Sequence, residues 1–302
     1  MSRRVITGVL LAGVLTCAGW AVYKVEKDRA SLRSAMAADV PPEPARPVQP
    51  VGSGGAAASS APHQLAGASR PSDPIDTKNA SSETGPIKQG EILDYSANVS
   101  KLNNVATLRL QVAARSDFLG KAAWHLQAFA HTQNPLRMVF ELDDRFDSYS
   151  DASGLTSFQY EMHLSERGQK VDSVQRMTVT GREPASPGAS QTHVLPGTRD
   201  PLGMMQFLRT VDWSRTPEIH GPVYDGHKLY EVRASLAGAE SVTVAAGSFN
   251  TSKVNLRVFD NGTEMKDAKF SLYLTKDAAR TPVLLEAVLP FADARVELTK
   301  SH

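Results

Sequence analysis

The sequence predicts an all-β domain: a wide antiparallel β-barrel, complete or incomplete, of about twelve strands with one or two short helices. Three observations carry that expectation. From Gly90 onward, short segments alternate apolar and polar residues. Turn-forming pairs fall between those segments, and one stretch alone has clear helical spacing. Ahead of the domain (residues 90–302) lie an apolar N-terminal segment with its flank, residues 1–29, and a Pro/Ala/Ser-rich linker, residues 30–89.

The N-terminal segment opens with Arg3 and Arg4 and continues as an apolar run from Val5 to Tyr23, 19 residues long. A basic start followed by an apolar run is an export signal, and this run is long enough to span a bilayer as a helix. Two fates follow. As an anchor it stays in the inner membrane, with the two arginines on the cytoplasmic side. As a cleaved signal it ends near Ala21, where Gly19 and Ala21 supply the small residues that cleavage needs. The anchor is the preferred reading, and both place the rest of the chain in the periplasm or beyond. Cys17, the only cysteine, lies inside the run. Thr16 stands where a lipidation site wants a smaller residue, so Cys17 reads as a small apolar residue of a membrane helix.

The linker contains no Phe, Trp or Tyr, none occurring between Tyr23 and Tyr95. It cannot bury enough apolar surface to offset the entropy of ordering, so it is expected to be disordered. As a coil it reaches roughly 40 Å, enough to let a tethered domain search near a membrane.

The strands of the domain show in the alternation of their side chains. Leu108, Leu110 and Val112 alternate with Arg109 and Gln111; Tyr160, Met162 and Leu164 alternate with Glu161 and His163. The same period of two runs through Val254, Leu256 and Val258, through Phe270, Leu272 and Leu274, and through Ala294, Val296 and Leu298. Such alternation marks strands with one face buried and one face wet. Asp225-Gly226 and Asn261-Gly262 predict tight hairpins of the type that needs positive φ at both central residues. Asp200-Pro201 with Leu202, Met205 and Leu208 predicts a short helix, with Asp200 as its cap and Pro201 in its first turn. A second helical turn is expected near Pro135–Phe140, and a loop over Ser186–Ser190. About twelve strands close into a barrel too wide for its own side chains to fill, so either the helix plugs it or it encloses a cavity. A two-sheet sandwich is the alternative.

Several segments, in this order, resemble one known family: Gly90-Glu91-Ile92-Leu93-Asp94-Tyr95; Asp143 through Asp151; Arg199-Asp200-Pro201-Leu202 with Phe207-Leu208-Arg209; Pro222 through Tyr230; Ala246-Gly247-Ser248-Phe249-Asn250-Thr251; and Leu272 through Asp277 with Arg280-Thr281-Pro282-Val283 and Leu289-Pro290-Phe291. They resemble the bacterial exported family called domain of unknown function 3108, over about residues 90–298. Ala246 and Ser248 depart from its commoner residues. The resemblance implies an exported, strand-rich, barrel-like protein and transfers no catalytic residue.

Chemistry is mostly excluded. A net charge of +1, with 22% charged residues, argues against nucleic-acid binding. The only cysteine lies outside the domain, so the domain holds no disulfide and no thiolate metal site. There is no G-x-S-x-G elbow, P-loop or G-x-G-x-x-G. His125, His131, His163, His193, His220 and His227 are scattered and read as surface or turn histidines. Asp143, Asp144, Asp147 and Asp151 read as a charged strand and not as a calcium loop. Asp200 is the most tempting acid, but a helix cap explains it; cross-strand packing explains Tyr224 and Tyr230, and core anchoring explains Trp124 and Trp213. No residue is assigned to catalysis, cofactor or metal, and no cofactor is expected. The expected function is that of a non-enzymatic exported envelope protein, with a lipid or other apolar ligand in an open barrel. The alternative is a scaffold that binds an envelope protein at an exposed edge or loop; a hydrolase ranks below both.

Overall fold

The computed structural model describes residues 85–302 apart from 139, 167, 182–187 and 291. The N-terminal apolar run and nearly all of the linker lie outside the described residues. Among those described, no helix is long and apolar enough to cross a membrane, which says nothing of strands.

Among the described residues, fourteen strands form one continuous sheet. They are β1 (Ile92–Val99), β2 (Leu102–Phe118), β3 (Lys121–Thr132), β4 (Asp143–Asp151), β5 (Ser157–Glu166), β6 (Gln169–Thr178), β7 (Ser190–His193), β8 (Glu218–Tyr224), β9 (Leu229–Val244), β10 (Gly247–Asp260), β11 (Thr263–Glu264), β12 (Lys269–Thr275), β13 (Pro282–Leu289) and β14 (Ala292–Ser301). Their order is β7-β6-β5-β4-β3-β2-β1-β14-β13-β12-β10-β9-β8, with β11 beside β10. Neighbours are antiparallel except β6 and β7, which run parallel. The sheet is therefore single, which removes the sandwich, and among the described residues its two ends, β7 and β8, do not pair. The count exceeds the expected twelve. β7 and β11, four and two residues long, are too short and polar to show alternation.

The alternating residues behave as their spacing requires. Leu108, Leu110 and Val112 of β2 sit opposite Ala130, Ala128 and Leu126 of β3. Leu272 of β12 faces Leu285 of β13, which faces Val296 of β14. All of these but the half-buried Ala130 are buried in one core cluster, while intervening residues such as Arg109 and Arg295 point outward. Burial of such side chains contributes about 1.5–3 kcal/mol each for the larger aliphatics.

The two expected tight turns differ. Asn261 (φ 48°) and Gly262 (φ 78°) form a two-residue turn between the paired residues Asp260 and Thr263, as expected. Asp225-Gly226 instead opens a four-residue connection from Tyr224 to Leu229. Asp225 Oδ1 accepts from the backbone N–H groups of His227 (2.8 Å) and Lys228 (2.7 Å). That side-chain turn replaces the tighter one, and of the pair only Gly226 (φ 97°) takes positive φ. The second helical turn is a 3-10 turn at Leu136–Met138. Of the expected loop, Ser186 and Pro187 lie outside the described residues and Ser190 begins β7.

The helix α1 (Pro201–Thr210) enters the interior with seven of its ten residues buried. Where Met205 meets Tyr95, Leu108, Leu110, Leu272, Pro282, Leu284, Leu285 and Val296, a cavity of about 10 Å³ remains. That is at the lower limit for a single water, so at this level helix and strands fill the space between them.

Candidate functional site

The gap between β7 and β8 is where the barrel departs from closure, and irregular backbone crosses it. Ser157 N at the start of β5 donates to Thr198 O at 3.0 Å. One residue on, Arg199 N donates to Pro222 O (3.1 Å) and Arg199 O accepts from Tyr224 N (2.8 Å), an isolated parallel bridge to β8. The Arg199 guanidinium donates to Gly197 O (3.2 Å) and Gly154 O (2.8 Å) and lies 3.5 Å from the Phe207 ring centroid.

The next residue, Asp200, anchors α1. Its Oδ1 accepts from Gly203 N at 2.8 Å, as the sequence leads one to expect of a cap. Its Oδ2 accepts from Ser148 Oγ at 2.5 Å, and its N–H donates to Ser157 Oγ at 2.7 Å. Ser148 Oγ and Ser150 Oγ are 2.8 Å apart. Asp200, Ser148 and Ser150 are fully buried, and burial raises the carboxyl of Asp200 above its ordinary range against the pull of its hydrogen bonds. Acid and hydroxyl thus meet where a substrate has no entry. The opposite end of α1 is tied by Arg209, also fully buried. It donates to both oxygens of Glu91 (2.5 and 2.8 Å), to Gln206 Oε1 (2.8 Å), to Pro86 O (2.7 Å) and to Ala279 O (3.0 Å). A cation at a helix C-terminus is favoured by the helix dipole.

Beyond the Arg199 bridge, the edge of β8 is unpaired among the described residues. Pro222 C=O and Tyr224 N–H point toward Arg199, and residues two apart in a strand present their backbone groups to the same side. Glu218 and His220 therefore face the edge as well. Their side chains are exposed, and among the described residues no strand pairs with them on that side. Pro222, which lacks an N–H, sits at an edge-facing position, where proline costs least.

The outer face of β3–β5 gathers histidines that look scattered in sequence. His125 Nε2 is 2.7 Å from Asp147 Oδ1, His131 pairs with Asp143, and His163 Nδ1 is 2.7 Å from Asp172 Oδ1. Asp147 is buried on this face; His125, Arg145 and Gln127 hold its carboxyl well below the usual range despite burial. Asp143 and Asp147 point outward beside Arg137 and Arg145, so the run is a charged strand, as expected. Asp144 points inward instead. It is buried, accepts from Ser165 N at 2.9 Å, and is pushed up to about 7 by desolvation. Of the other expected residues, Trp124 and Trp213 are core anchors whose ring N–H groups reach Ala152 O (3.2 Å) and Leu208 O (3.1 Å). Tyr224 and Tyr230 pair with Leu229 and Val223, not directly with each other. His193 ends β7, His220 lies on the β8 edge and His227 in the β8–β9 turn. Sequence reading missed the convergence of Asp147, Glu161 and His163, whose ligand atoms lie within 4.8 Å of one another. Glu161-Met162-His163 carried the signal, since residues two apart on a strand share a face.

Among solved structures, the chain is remotely similar to a beta-barrel-like protein of domain of unknown function 1849 from Brucella abortus. The identity is 11%, the coverage 70% of this chain and 97% of that one, and the TM-score 0.47. A candidate lipoprotein from Parabacteroides distasonis is 13% identical over 72% of this chain and 98% of that one, with a TM-score of 0.34. A candidate exported protein with a YmcC-like fold from Bacteroides fragilis is 11% identical over 72% and 98%, with a TM-score of 0.29. No curated protein matches the chain. The family model described as "Protein of unknown function (DUF3108)" matches residues 94–299, and the chain belongs to that family.

Proposed function

We propose that this is a non-enzymatic, exported envelope protein whose barrel-like domain holds a partner protein at its unclosed seam. The observation that carries the reading is the free edge of β8 at Glu218 and His220. An unpaired edge accepts an extended segment of another chain, whose backbone supplies the missing hydrogen bonds. The basic start at Arg3-Arg4 and the apolar run from Val5 to Tyr23 support export, with anchoring in the inner membrane as the preferred fate. The cavity of about 10 Å³ beside Met205 favours this reading over an enclosed lipid. The sealed Asp200–Ser148 contact speaks against acyl chemistry there.

A photoreactive residue placed at position 220 and activated in intact cells tests the proposal. The expected result is a specific protein adduct at 220 and none at the exposed position 300 of β14. With the probe moved to the neighbouring edge-facing position 218, His220→Pro, which removes one edge-facing N–H and leaves the β8–β9 pairing, is expected to abolish capture. Absence of any protein adduct at 220, joined to a lipid adduct from a probe at position 205, would transfer the function to the interior.

A further inference from the structure

We propose that Asp147, Glu161 and His163, on the outer face of β4 and β5, bind a divalent transition-metal ion of the zinc class. Four observations lead there. Asp147 and Glu161 sit directly opposite each other on neighbouring strands. Like charges in that position destabilise a sheet unless a cation offsets them. His163 lies two residues from Glu161 on the same face, and its Nε2 is 3.4 Å from Glu161 Oε2. The three ligand atoms lie within 4.8 Å of one another, so small side-chain movements bring them onto one ion. Finally, His163 Nδ1 bonds Asp172 Oδ1 at 2.7 Å. In the neutral ring, that contact places the proton on Nδ1 and leaves the Nε2 lone pair turned toward the carboxylates. A carboxylate behind an imidazole is the usual support of a metal-binding histidine.

The remaining partners fit the same picture. Gln159 Nε2 donates to Glu161 Oε1 at 2.7 Å and orients that carboxylate. Gln127 and His125 do so for Asp147, at 2.8 and 2.7 Å. Arg145 is the competing cation: it donates to both oxygens of Asp147, at 2.7 and 2.9 Å, and its side chain is half-exposed. Asp147, Glu161 and Asp172 set three negative charges against this single guanidinium, so the cluster keeps an excess of negative charge for a dication. One imidazole with two carboxylates suits zinc and its neighbours, and three protein ligands leave a position open for water or a fourth ligand. Calcium, which needs six to eight oxygens, is not served.

Calorimetric titration of the full-length chain in detergent with zinc chloride tests the proposal, with cobalt(II) absorption as a spectroscopic readout. One ion per chain is expected, with no response to calcium. Glu161→Gln and His163→Ala should each remove the binding, and Asp172→Asn should weaken it about tenfold or more. His131→Ala, on the neighbouring ion pair, should leave it unchanged, and Arg145→Met should tighten it by removing the competing cation. Circular dichroism of each metal-free variant establishes that the sheet is intact. Absence of zinc binding, or a His163→Ala protein that titrates like the parent, overturns the proposal.

Discussion

Asp144 shows how one inward-pointing carboxyl couples the fold to pH. Its native carboxyl titrates at about 7, against an ordinary 3.8, because burial disfavours the ionised form. The folded state therefore keeps a proton that the unfolded state has already released between about pH 4 and 7. Stability falls as pH rises through that window and levels off above it. Asp144→Asn removes the penalty. It is expected to raise the unfolding free energy at pH 8 by roughly 2–4 kcal/mol and to have little effect at pH 4, as measured by urea denaturation at both pH values. Gly203 makes a different demand. A β-carbon there would lie 2.9 Å from Ser150 Oγ, 3.0 Å from the Leu155 carbonyl oxygen and 3.1 Å from Ser157 Oγ. Alanine gains about 1 kcal/mol of helix propensity over glycine, but the clash with backbone and buried hydroxyls outweighs it. Gly203→Ala is expected to lower stability by roughly 1–3 kcal/mol, and a raised thermal midpoint would contradict this account of how closely α1 approaches β4.

The helix is the element on which the interior depends, and it is fastened at both ends. Asp200 ties its start to β4 and β5, and Arg209 ties its end to Glu91, Pro86 and Ala279. Arg209→Met leaves Glu91 without its buried counter-charge and two carbonyls without a donor. A loss of about 3–5 kcal/mol is expected, read as a lower urea midpoint with an unchanged slope. The capping function of Asp200 was legible in the sequence because it is local: a carboxylate, a proline and the apolar spacing of Leu202, Met205 and Leu208. The role of Arg209 was not, because its partners lie 118 residues away at Glu91 and 70 residues away at Ala279. The long alternating strands were legible for the same local reason. β7 was not, since Ser190-Gln191-Thr192-His193 has no apolar face to alternate. The Asp147–Glu161–His163 cluster was half legible: Glu161 and His163 share a strand, whereas Asp147 joins them only through the register of β4 against β5.

At the scale of the whole molecule, a width estimate from strand number leaves two outcomes open, a plug or a cavity. The sequence could not decide between them, because the decision rests on how α1 packs against strands far away in the chain. Met205 meets residues of β1, β2, β12, β13 and β14 across a cavity of about 10 Å³. On the proposed reading, the domain works through its surface and its unclosed seam and does not enclose an apolar ligand. Native mass spectrometry of the full-length chain, extracted from its own membranes in mild detergent, tests this most directly. The expected spectrum shows the mass of the polypeptide, with or without a protein partner or a metal ion; a stoichiometric lipid adduct that survives detergent removal and is released only on collisional unfolding would contradict that reading.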